Sequence, residues 1–234
     1  VYSENAKSLS VLESEFAGEE QYGIFSENST KLAYATMMNN VFTLNKTAEI
    51  SAIYHERSPS GGLSSISDKV YNLIDHNDIT VTNDHAKTHD ISLIDVYSPF
   101  NGLNRFPIQN NIITVNSRST PIHGIYVRGA SNKLEILGNS LDYPGTPAPS
   151  EIVGSLGIAV EEVLGGSNKL DDNTITSTFW PSATPEEKTS YIKCGIHIYK
   201  SPGFQVCGNT LDNTYRGFHF AGLLDYCDFA VNNI

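Results

Sequence analysis

A six-residue pattern, apolar-x-x-Asn-x-apolar, occurs seven times in this chain, at residues 37–42, 74–79, 108–113, 136–141, 170–175, 206–211 and 229–234. Its asparagines are Asn40, Asn77, Asn111, Asn139, Asn173, Asn209 and Asn232, separated by 37, 34, 28, 34, 36 and 23 residues. Self-similarity at that period marks a solenoid, in which one repeat cannot bury its apolar face and the stacking of neighbours makes the core. The pattern runs almost to the last of the 234 residues, so it predicts one elongated domain rather than two small ones.

A second pattern lies between the first: Gly124-Ile125-Tyr126-Val127, Gly157-Ile158-Ala159-Val160, Gly195-Ile196-His197-Ile198 and Gly217-Phe218-His219-Phe220, with weaker copies starting at Gly23 and Asp90. Apolar alternation with period two predicts a strand with one buried face. From Gly23, Gly124, Gly157, Gly195 and Gly217 to the next motif Asn is 17, 15, 16, 14 and 15 residues, too short for a crossover helix. Each repeat is therefore a Gly-strand followed by an Asn-strand. The motif Asn shares the inward face with the apolar residue two places on. A buried amide costs free energy unless it is hydrogen-bonded, and stacked asparagines can satisfy one another. The seven asparagines read as a structural ladder, not as catalytic groups.

The pair Gly-Ile-x-Ile and Ile-x-x-Asn-x-Ile, as in residues 195–211, resembles the coil signature of the right-handed parallel β-helix superfamily, the pectate-lyase-like fold. The resemblance covers about residues 20–234. It implies an all-β, right-handed, single-stranded parallel β-helix of about seven coils over 21–234. Residues 1–20 are left as an N-terminal cap or irregular first coil, with residues 8–16 readable as a short helix. The superfamily includes polysaccharide lyases, glycoside hydrolases, epimerases, phage tailspikes and adhesins, so the resemblance speaks to fold and hardly to activity. With the acidic, Asn/Ser/Thr-rich composition it implies an extracellular, secreted or cell-surface protein whose partner is a polysaccharide or surface glycan. Three functions follow: a lyase or hydrolase, a non-catalytic segment of a large surface protein or adhesin, and a carbohydrate-binding module. The superfamily's polygalacturonase motifs are absent.

Composition removes other classes. The net charge is −11, and no Lys/Arg cluster offers a nucleic-acid or anionic-membrane footprint. No apolar run approaches the roughly 18 residues of a membrane span. Cys194, Cys207 and Cys227 are odd in number and show no CxxC spacing, so they read as small residues near the core, with one inter-coil disulfide as the alternative. The first residue is not Met and the last falls within a repeat, which reads as part of a longer chain, the last coil meeting further chain or another subunit.

Outward positions of the Gly-strands form two columns: Tyr126, Ala159, His197, His219 and Arg128, Glu161, Tyr199, Ala221. At a coil spacing of about 4.8 Å, neighbours within a column touch. Long excursions at 55–69, 97–106, 142–155 and 177–193 border this face and predict a groove over it. Catalytic candidates are Glu161, His197, His219 and Arg128; Tyr126, Tyr199, Trp180 and Tyr191 are candidate sugar-contacting residues. Arg128 and Glu161 read first as a cross-coil ion pair, and His197 and His219 as stacked imidazoles that resist charging together. His89 and His123 fall at matching places in adjacent coils. Glycoside hydrolysis needs two carboxylates, and these columns supply only Glu161. A calcium site needs several oxygen ligands and no acidic column is present, so no cofactor and no metal site is expected, with a calcium ion kept as the alternative.

Overall fold

The computed structural model describes residues 1–4, 8–18, 22–28, 34–45, 51–57, 72–83, 91–97, 105–117, 121–129, 133–144, 154–177, 192–222, 225 and 227–234. The described chain is a parallel β-helix whose coils each add one strand to two or three long sheets. Sheet A stacks Tyr2–Glu4, Tyr22–Asn28, Ser51–Arg57, Ile91–Tyr97, Ile122–Arg128, Ser155–Glu161, Ile192–Tyr199 and Phe218–Ala221 in chain order. Sheet B stacks Ser8–Leu12, Tyr34–Met38, Asn72–Asp75, Phe106–Gln109, Leu134–Leu137, Asn168–Asp171, Phe204–Cys207 and Asp228–Ala230. Sheet C stacks Glu15–Gly18, Val41–Asn45, Asp78–Asn83, Ile112–Ser117, Ser140–Tyr143, Thr174–Ser177 and Thr210–Asp212. Seven coils are thus complete and an eighth is begun.

The Asn motif is not one strand but two, meeting at a bend between sheets B and C. The residue before each ladder Asn has a left-handed backbone, from Asn39 (φ 56°) and His76 (φ 52°) to Asp172 (φ 58°) and Gly208 (φ 68°). Asn, Asp and Gly tolerate that conformation best, which accounts for five of the seven positions. The bend turns the Asn side chain inward and stacks it on the next. Asn139 shows the pattern. Its Oδ1 accepts from the backbone N–H and side-chain amide of Asn111 at 3.0 and 2.9 Å. Its Nδ2 donates to Asn173 Oδ1 and to the Ile108 carbonyl, both at 2.9 Å. The same exchange runs from Asn40 to Asn232, and Ser14 starts it by donating its N–H to Asn40 Oδ1.

The glycines of sheet A explain why the two motifs keep their distance from each other. A Cβ on Gly124 would stand 2.3 Å from Leu141 Cδ2 and 2.8 Å from the Gly157 carbonyl, and one on Gly157 would meet Ile175 at 2.9 Å. Each of these glycines faces the apolar residue two places after the ladder Asn, so the narrow coil needs a missing side chain there. The isoleucine after each glycine joins a fully buried column, Ile24, Ile53, Ile94, Ile125, Ile158 and Ile196. Burying one such side chain is worth about 1.5–3 kcal/mol.

Register corrects two details of the sequence reading. The copy placed at Asp90 belongs three residues later: Ile94 pairs Ile125, so Leu93 occupies the glycine position, and Ala52 occupies it one coil earlier. The position opposite His123 is Ser92; His89 lies outside the described residues. The N-terminal stretch read as a possible helix is two strands, Ser8–Leu12 and Glu15–Gly18, pairing in sheets B and C. Cys194, Cys207 and Cys227 are all free thiols; Cys207 stands beside Ala230 in the next coil, so no inter-coil disulfide forms.

Candidate functional site

Both outward columns of sheet A exist in the expected register. Tyr126, Ala159, His197 and His219 stand in one, Arg128, Glu161, Tyr199 and Ala221 in the other. Beside them lies a cleft of about 500 Å³, lined by Asp95, His123, Tyr126, Arg128, Glu161, Lys193, His197, Arg216 and His219 among others. Tyr199 does not line it; its ring lies 6.4 Å from that of His197 and carries the Lys200 ammonium 4.9 Å above its centroid. Trp180 and Tyr191, and most of the excursions expected to wall the groove, lie outside the described residues.

The cleft contains a carboxylate that sequence reasoning missed. Asp95 occupies the same column as Tyr126, one coil earlier. Its burial pushes its pKa up to about 6, against the pull of Arg128, and Glu56 adds to the rise. The Arg128 guanidinium stands 3.6 Å from Asp95 Oδ2, so the ion partner of Arg128 is Asp95 and not Glu161 as expected. The same guanidinium sits over the rings of Tyr97 and Tyr126, at 5.2 and 5.4 Å. Asp95 Oδ1 and Arg128 Nε are buried without a hydrogen-bond partner among the described residues. A signal for Asp95 was present in the spacing. Leu93 precedes Asn111 by 18 residues and Asp90 precedes it by 21, and the former is nearer the 14–17 of the clear repeats.

Glu161 is held differently. It accepts a hydrogen bond from the Tyr126 hydroxyl at 2.6 Å, and His197 Nε2 stands 3.7 Å from its other oxygen. Burial, then the bond to Glu161, raises the Tyr126 pKa well above the usual phenol value. Ala159 pairs between Tyr126 and His197, and its small side chain leaves room for Tyr126 to reach Glu161 in the adjacent column. His197 and His219 meet Nδ1 to Nδ1 at 2.9 Å, with ring centroids 4.9 Å apart. Burial, then the neighbouring His219, lowers the His197 pKa, and Glu161 partly offsets this. His123 Nδ1 accepts the Leu156 N–H at 3.0 Å, which places the proton of the neutral ring on Nε2.

A second hollow of about 530 Å³ lies on sheet B, lined by the turns at Gly165 and Gly203 and by Lys169, Gln205 and Asp228. Its single carboxylate makes it the poorer site, because the sheet A cleft gathers two carboxylates in unlike surroundings with imidazoles and a phenol. Among the described residues no group of three or more His, Cys, Asp or Glu side chains is placed to hold a metal ion, and no helix is long and apolar enough to cross a membrane. Comparison of the chain with protein-family models, curated proteins and solved structures returns no match.

Proposed function

We propose that the sheet A cleft binds a polysaccharide and hydrolyses its glycosidic bonds, with Asp95 as proton donor and Glu161 as the base that activates water. The observation that carries this reading is the pairing of two carboxylates in one cleft, one largely buried with its pKa pushed up to about 6, the other accepting a short bond from Tyr126. Acid and base roles divide where environments push two such groups apart. Asp95 gives its proton to the glycosidic oxygen as the carbon–oxygen bond breaks. Glu161 takes a proton from the water whose oxygen bonds to the anomeric carbon. The two residues sit two coils apart along the axis and two residues apart along the strands, a backbone separation of about 12 Å, which is too long for the retaining geometry, with carboxyls about 5–5.5 Å apart, and leaves the inverting one. Arg128, Lys193 and Arg216 line the same cleft of an otherwise acidic chain, which supports an acidic rather than a neutral polysaccharide.

This reading puts the chain with the extracellular, pectate-lyase-like β-helix proteins. The test is an assay for new reducing ends on a panel of acidic and neutral polysaccharides, with product absorbance scored for the double bond a lyase would leave. Turnover should fall about 10²–10⁴-fold in Asp95→Asn and in Glu161→Gln. Full activity in either variant, or an unsaturated product, sinks the assignment. Binding without turnover would favour a carbohydrate-binding module, and neither binding nor turnover a non-catalytic segment of a surface or adhesin-type protein.

A further inference from the structure

We propose that His197 and His219 act as one unit holding a single shared proton, and that this unit is a positioning pair which keeps Glu161 ionised as the base at acid pH. The inference rests on the hydrolytic reading of the cleft for its second half only. Two imidazole nitrogens 2.9 Å apart cannot both carry a hydrogen, and two bare lone pairs at that distance repel, so one proton lies between them. In the neutral pair His219 Nδ1–H donates to His197 Nδ1, which leaves the second hydrogen of His197 on Nε2, facing Glu161 Oε1 at 3.7 Å. One further proton can be taken up on His219 Nε2 without breaking that bond. A second cannot, because it would force hydrogens onto both Nδ1 atoms.

The pair therefore gains at most one positive charge over the working range, and once His219 Nε2 is protonated the shared hydrogen can pass to His197 Nδ1, which puts that charge on the ring whose Nε2–H stands 3.7 Å from Glu161 Oε1. A cation at this distance favours the carboxylate over the carboxylic acid. Other groups around the pair divide. Lys193 and Arg216 oppose its charging, Glu161 favours it, and the Cys194 thiol and Tyr126 phenol, both pushed up by burial, stay neutral in the range concerned. As pH falls, the pair takes up its proton and Glu161 meets a stronger cation, so the carboxylate resists protonation.

The test has two arms. In the wild-type protein, ¹⁵N-histidine NMR should show His197 and His219 taking up one proton between them from about pH 8 to pH 5, with matched midpoints, as interacting sites do. Two separate titrations, each complete in that range, overturn the shared proton whatever the substrate. In His219→Phe, which keeps a ring and removes both nitrogens, the acid limb of kcat/KM should move up by about one pH unit, so that activity at pH 5 drops about two- to threefold more than at pH 7. His219→Asn, which retains an N–H donor toward His197 but cannot take up the charge, should show the same shift. An acid limb that stays in place in both variants overturns the role assigned toward Glu161. A single shared proton found where no polysaccharide is turned over upholds the pairing and counts against the hydrolytic reading.

Discussion

The Asn ladder at the bend between sheets B and C and the cleft over sheet A are both columns of polar side chains at the coil spacing, yet they are built on opposite principles. In the ladder one residue type recurs in every coil from Asn40 to Asn232, and each amide is satisfied by its neighbours and by a backbone carbonyl. In the cleft the residue type changes from coil to coil until the last two: Tyr54, Asp95, Tyr126, Ala159, His197 and His219 follow one another in a single column. Two polar atoms there, Asp95 Oδ1 and Arg128 Nε, are buried and unsatisfied among the described residues. Repetition closes hydrogen bonds within the protein; variety leaves bonding capacity for something outside it. Buried polar groups left open in this way tend to mark sites rather than scaffolding.

The largest expected effect lies in the ladder. Asn139→Leu keeps approximate size but removes the acceptor for two donors of Asn111 and the donor to the Ile108 carbonyl, all of them buried. Each buried group left unpaired costs about 1–3 kcal/mol, so urea unfolding should show a loss of roughly 4 kcal/mol or more. A loss under about 1 kcal/mol would erase the distinction between the two columns.

The cleft should answer in the opposite direction. The pKa of Asp95 in the folded chain, about 6, lies above its ordinary value of 3.8. Between those pH values the folded protein binds more protons than the unfolded one, so its stability falls as pH rises through that window. The cost is on the order of 2–3 kcal/mol above pH 6. Asp95→Asn, which has no charge to bury, should recover about 1–2 kcal/mol at pH 8 and nothing at pH 4, part of the gain being offset by the lost partner of Arg128. Urea midpoints at the two pH values measure it. Together with the loss of turnover, this would show a site kept at the expense of stability, whereas equal effects at both pH values would remove the burial argument.

The same contrast explains what could be read from the chain alone. The ladder was legible because seven asparagines sit at one place in the repeat, and the coil was legible because glycine must face the residue two places beyond Asn. Tyr126, Glu161, His197 and His219 were legible because glycines mark their coils and count off the register. Asp95 was not, because Leu93 stands where the glycine would be and Asp90 looked like a better start. The coils at Ala52 and Leu93 hold a fully buried side chain at that point, and the glycine signal is missing there. The short Asn-strand bend was hidden for another reason, since Asn39, His76 and Asp172 adopt a left-handed backbone without the glycine that advertises one.

The smallest effect should come from the link between the two carboxylates. Tyr126 stands between them in space, donating to Glu161 at 2.6 Å and lying 5.4 Å under the guanidinium that pairs with Asp95. Tyr126→Phe keeps the ring, its packing and its contact with Arg128, and removes only the hydroxyl. Stability should change by no more than about 1 kcal/mol, because the acceptor is a half-exposed carboxylate that water can reach. Loss of a charge-assisted bond to the base should cost about tenfold in kcat/KM. A ladder residue could never behave so, since every atom removed there leaves a buried partner behind. If Tyr126→Phe instead destabilised the fold by several kcal/mol while leaving turnover intact, Tyr126 would belong with the ladder, and the cleft would lose the donor that sets Glu161 apart from Asp95.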